Sequence, residues 1–166
     1  MRIGLDVYQA GYTYGGIARY IRGLVPALAA AAPSDQFILV SNHFRTPESP
    51  WRADGTNVSH FNLRASRRLV QACWDRLGWP PMEALIGPVD IFHGTHFVLP
   101  AVRRAKCVLT VHDLTYLRHP EYFGNRELNE RGYRKELPRA LARVDAVIAD
   151  SRHTRDDLAE LLNYPE

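Results

Sequence analysis

Cysteine is scarce in this 166-residue chain, with Cys73 and Cys107 alone, and methionine is equally rare. Both cysteines sit in apolar segments (QACW and KCVLTV) and read as buried free thiols. Such sparse usage argues against a disulfide framework and for a reducing, cytoplasmic setting. Long apolar runs are missing too. The greasiest stretch, residues 24–32, is far too short to span a bilayer and contains Pro26. The first apolar run carries Asp6, which the core of a signal peptide would not. There is no internal repeat and no low-complexity linker. Several signatures of chemistry are also absent. The glycines after the first apolar run are Gly11, Gly15 and Gly16, not GxGxxG, and the second run ends in Ser41-Asn42 without an acid for a ribose. A nicotinamide dinucleotide is therefore a poor fit. No GK[ST] follows, which removes a P-loop, and no GxSxG occurs, which removes the hydrolase elbow.

Excess charge is small. Lysine and arginine number 21 against 18 acids, a net +3, and 46% hydrophobic with 23% charged residues suits one soluble domain. The mild basic bias fits a solvated surface or attraction to an anion such as a nucleotide diphosphate or a phospholipid surface. The tightest basic cluster, Arg64, Arg67 and Arg68, lacks interleaved aromatics, so nucleic acid is not expected.

What is present is alternation. Short apolar runs at 1–7, 36–41, 57–61, 89–92, 106–111 and 146–149 predict six strands. Between them lie helical patterns. Ile17, Tyr20, Ile21, Leu24, Val25 and Leu28 recur at helical spacing, with a kink expected at Pro26. A second helix is expected over 66–78 with Leu69, Ala72, Cys73 and Leu77 on one face, and a short piece over 82–86. A charged helix is expected over 127–143, interrupted by Gly132 and Pro138, and a last one through Leu162 capped by Ser151 or Thr154. Strands alternating with helices imply a parallel sheet covered on both faces, a Rossmann-like doubly wound α/β layout in the order 3-2-1-4-5-6.

In such sheets ligands bind beyond the carboxyl ends of the strands. There the sequence puts Gly15-Gly16 opening a helix, His93-Gly94-Thr95-His96, His112-Asp113 and Asp150-Ser151. Gly15 and Gly16 suit a phosphate held on bare backbone N–H groups, or equally a tight turn that needs glycine. His112 suits acid–base work or a sugar hydroxyl, and equally a loop-holding histidine. His93, His96 and His112 match no specific zinc spacing, so no metal is expected. Asp113 reads as a general base or as the cap of a turn at Leu114.

The combination GGIARYIRGL, VDIFHGTHFVLP, VLTVHDLTYLRHPEYF and VDAVIADSRHTRDDL resembles the N-terminal half of the retaining GT-B glycosyltransferases of group 1, or family 4. The nearest likeness is to bacterial mannosyltransferases of O-antigen-type polysaccharide synthesis. The resemblance covers nearly the whole chain and is most specific around His93 and His112. It implies an acceptor-side Rossmann-like domain facing a second domain that holds the nucleotide sugar, GDP-mannose by likeness. It further implies that Gly15 and Gly16, with Ser151, approach the donor's diphosphate. His112, with Asp113, would act on the transferred sugar, and His93, His96, Phe97 and Tyr116 would line the acceptor side. No cofactor is implied. The acceptor would be a glycan or lipid-linked sugar, with possible peripheral contact at the inner face of the membrane. The family's donor-binding half has no counterpart here, since residues 1–166 account for one domain and the chain stops at Tyr164-Pro165-Glu166. The alternatives are half of a GT-B-like nucleotide-sugar epimerase, or a non-catalytic Rossmann-like binding module.

Overall fold

The computed structural model describes residues 1–12, 15–45, 49–123 and 130–165. Tyr14, the first three residues of the expected 127–143 helix and Glu166 lie outside them. The strands are β1 (Arg2–Asp6), β2 (Gln36–Ser41), β3 (Val58–Asn62), β4 (Ile91–Gly94), β5 (Lys106–Val111) and β6 (Ala146–Ala149). They form one parallel sheet in the order β3-β2-β1-β4-β5-β6. Helix α1 (Gly16–Ala31) joins β1 to β2, and α2 (Arg67–Leu77) and α3 (Met82–Ile86) join β3 to β4. Helix α4 (Thr115–Arg118), a π-helical stretch (Glu130–Glu136) and α5 (Leu137–Leu141) lead to β6, and α6 (Arg152–Leu162) follows it. The fold is thus the expected Rossmann-like α/β layout.

Alternation along each strand divides the core in two. Leu5, Val7, Phe37 and Leu39 pack with Ile21 and Val25 of α1 on one face. Ile38, Val40, Phe92 and Leu109 pack with Met82, Leu137 and Leu158 on the other. Gly4 is required where β1 meets β4, because a Cβ there would lie 2.8 Å from the Phe92 ring.

Four details depart from the sequence pattern. The expected apolar face of α2 is turned out: Leu69 and Leu77 are exposed, while Trp74 packs on the core. Cys107 is buried but Cys73 only partly so. The fourth strand begins two residues late, because Asp90 acts as a bracket: its N–H donates to the Arg2 carbonyl and its carboxylate accepts the Arg2 N–H. Pairing of Ile3–Leu5 with Ile91–His93 then carries β4 through His93 to Gly94. Farther along, the charged helix is divided, with Pro138 falling in the first turn of α5, where its missing N–H is tolerated.

Candidate functional site at the carboxyl edge of the sheet

Gly16, His93, His112 and Ser151 all stand at the carboxyl edge, each put there by the strand that precedes or contains it. Gly15 caps α1 with φ 133°, a backbone angle that only glycine adopts without strain, and has no side chain of its own to cap the helix. A Cβ on Gly15 or Gly16 would meet nothing within 4 Å. The first turn of this 16-residue helix carries backbone N–H groups and a positive dipole end beside glycines that leave room for a ligand.

His112, one residue past β5, is held from both ends. Its Nδ1 lies 3.0 Å from Asp150 Oδ2 and its Nε2 lies 3.0 Å from the Thr95 carbonyl. The edge of the Tyr20 ring meets it at 5.0 Å between centroids. A neutral imidazole has one N–H for these two acceptors, whereas the doubly protonated ring has one for each. Below it, His93 is buried inside β4, with Nε2 2.8 Å from Thr110 Oγ1, which in turn lies 3.2 Å from the Tyr20 hydroxyl. Burial, and then the nearby His112, lower the His93 pKa to about 4. His93 is thus under the site and not on its surface.

His96 and Phe97 meet at 3.8 Å between ring centroids with their planes tilted by 44°, and Tyr133 bridges Phe97 to Tyr116 at 4.8 and 4.9 Å. Tyr116 stacks in turn on Phe123. Burial lowers the His96 pKa to about 4 and pushes the Tyr133 hydroxyl up. The structure brings His96, Phe97 and Tyr116 into one aromatic wall. The sequence reading missed Tyr133, whose helix showed a charge pattern and no aromatic motif.

Asp113 is exposed, and its Oδ1 accepts the Thr115 N–H at 3.0 Å, the turn-capping geometry. Ser151 Oγ accepts the Thr154 N–H at 3.0 Å and so caps α6, while Thr154 Oγ1 donates to the His112 carbonyl at 2.9 Å. Ser151 therefore helps to fix the backbone of His112. Thr95, just past β4, is itself fixed where its carbonyl meets the His112 ring, its hydroxyl donating to the Asp6 carbonyl at 2.7 Å.

Asp6 was not read as a site residue from the sequence, and Asp150, placed at this edge beside Ser151, was given no role. A carboxylate at the last position of a buried parallel strand, or just past one, is the signal that would have found them. Among the described residues no group of three or more His, Cys, Asp or Glu side chains could hold a metal ion, and no helix is long and apolar enough to cross a membrane. Residues 14–166 match the family model described as Glycosyltransferase Family 4. No curated protein matches the chain.

Proposed function

The chain belongs to glycosyltransferase family 4, and from that premise we propose that it forms the acceptor-side domain of a retaining mannosyltransferase fed by GDP-mannose. The observation that carries this reading is the shared edge: the α1 N-terminus, the His112–Asp150 pair and the start of α6 all face the same end of one sheet.

The donor's diphosphate lies against Gly15 and Gly16, where backbone N–H groups and the helix dipole favour negative charge. Ser151 borders it from the start of α6. A second domain holds the nucleotide, and residues 1–166 supply the opposite wall of the cleft. The transferred sugar meets the ring of His112, which Asp150 and the Thr95 carbonyl hold in place. In a front-face displacement the acceptor oxygen bonds to the anomeric carbon as its bond to phosphate breaks. The acceptor's proton passes to the departing phosphate oxygen, so the configuration is retained and no cofactor is consumed. The domain then acts by positioning and charge stabilisation. Asp113, whose Oδ1 is occupied by the turn, stands at the rim of the sugar site. His96, Phe97 and Tyr116 offer an aromatic wall to a glycan or lipid-linked acceptor, and His93 supports them from below. Exposed Leu69, Leu77 and Trp79 beside Arg68 and Arg76 support peripheral contact with the inner face of the cell membrane from the cytoplasm.

The experiment is transfer from GDP-mannose by an enzyme in which this domain faces a donor-binding domain, with the product's anomeric configuration read by NMR. Retained configuration is expected, and the 166 residues alone should give no turnover. An inverted product, or no transfer from any nucleotide sugar tried, refutes the reading.

A further inference from the structure

Asp6 ends β1 and is partly buried. Its Oδ1 accepts the Tyr8 N–H at 2.9 Å, while Oδ2 accepts no hydrogen bond from the described residues. Burial raises its pKa to about 6, against the Tyr8 N–H and the Arg67 charge, which both lower it.

The carboxylate lines a cavity of about 70 Å³ between α2 and the carboxyl ends of β1, β2 and β4. Asn42, Arg67, Gln71 and His96 give the cavity its polar side, and Trp74 contributes to an apolar floor. His96 also lines the recess around His112, so the two spaces adjoin. The volume holds several waters, at about 10–15 Å³ each by this measure, or one hydroxymethyl-sized part of a ligand whose remainder lies in the cleft. Arg67 disfavours a cationic occupant, and Asp6 disfavours an anionic one. A neutral hydroxyl suits both and supplies the donor that Oδ2 lacks.

We propose that Asp6 Oδ2 receives a hydroxyl of the acceptor sugar, which makes this cavity the subsite that selects the acceptor. The inference rests on the transferase reading above. Its test is a titration of the chain with methyl α-mannoside, methyl α-glucoside and methyl α-galactoside, followed by NMR at the Tyr8 N–H and the Asp6 carboxyl carbon. At least one glycoside should shift both signals saturably, and Asp6→Asn should weaken that glycoside at least tenfold. Asparagine keeps an oxygen for Tyr8 and removes a buried charge, so the variant should melt no lower than the parent. No shift with any of the three, or equal affinity in Asp6→Asn, overturns the proposal. Tighter binding of the matching amino sugar overturns the neutral-hydroxyl assignment. GDP-mannose titrated at the Gly16 N–H and the His112 ring separates the two readings. A donor response without a glycoside response sinks the subsite alone. A glycoside response at Asp6 in an enzyme that transfers nothing sinks the transferase reading and leaves a sugar subsite.

Discussion

The two sides of His96 differ in how completely their polar groups are satisfied. Toward β5 and β6, both ring nitrogens of His112 have acceptors, His93 reaches Thr110, and Thr154 ties down the His112 carbonyl. Toward β1 and β2, one oxygen of Asp6 and the buried His43 Nε2 have no hydrogen-bond partner among the described residues. The first arrangement holds a geometry in the absence of ligand. The second holds a carboxylate whose charged form burial disfavours, with one oxygen open to the cavity. A preorganised wall and a vacancy beside it are what an enzyme with a tightly placed donor and a selected acceptor would need.

The vacancy carries the largest effect. Asp6 has a folded pKa of about 6 against an ordinary 3.8. Below the ordinary value both states hold the proton and the group is neutral toward stability. As pH rises toward 6 the unfolded chain ionises first, so stability falls; above 6 the full penalty, at most about 3 kcal/mol, is in place. Urea unfolding at pH 4, 5, 6 and 7 should therefore show Asp6→Asn gaining on the parent across that window and levelling off above it. Parallel stability curves would break the contrast between the two sides.

The satisfied side should respond in rate. In the two-domain enzyme, His112→Ala should lower turnover on the order of a hundredfold, comparable with losing one preorganised donor, and change donor affinity less. His119, half-exposed and paired with Glu121, serves as the control and should tolerate alanine. Steady-state kinetics beside a thermal melt decide it: near-normal turnover, or a loss explained by unfolding, removes His112 from the chemistry.

How far the sequence revealed this contrast depends on which force fixes each residue. Strand order and five helix locations follow from hydrophobic period, and β2, β5 and β6 fall on the expected residues because their runs are sharply bounded. The slip at β4 came from Asp90, whose bracket to Arg2 is made across 88 residues and leaves no local trace. Leu69 and Leu77 misled for a related reason: helical spacing gives a face, but the sheet decides which face is covered. In the site, the glycines and His112 were legible because they follow strands. Asp150 as the partner of His112 was not, since 38 residues separate them and only the β5–β6 pairing joins their ends.

A smaller effect separates two neighbouring glycines. Gly15→Ala forces a side chain onto φ 133° and should cost about 1–3 kcal/mol of stability. Gly16→Val adds atoms to open space, so the melt should hold while the donor's KM rises about tenfold as the diphosphate is kept off the helix end. A Gly16→Val enzyme with the parent's KM would detach the α1 N-terminus from the donor.

The smallest effect concerns Ser151, which stands between the two roles of scaffold and ligand. Its hydroxyl accepts the Thr154 N–H and lies 2.9 Å from Thr154 Oγ1, the group that anchors the His112 carbonyl. Loss of an N-cap typically costs about 1 kcal/mol, which in a domain of this size lowers Tm by roughly 2–4 °C. Ser151→Ala should show that drop. Ser151→Asn should recover most of it, because asparagine caps a helix as well as serine and adds no charge beside a diphosphate. The donor's KM then separates the roles. If the hydroxyl serves the helix alone, KM in Ser151→Asn returns to the parent value together with the melt. If it also touches the donor, the melt recovers while KM stays raised, and the satisfied side of the edge gains a ligand contact at its far end.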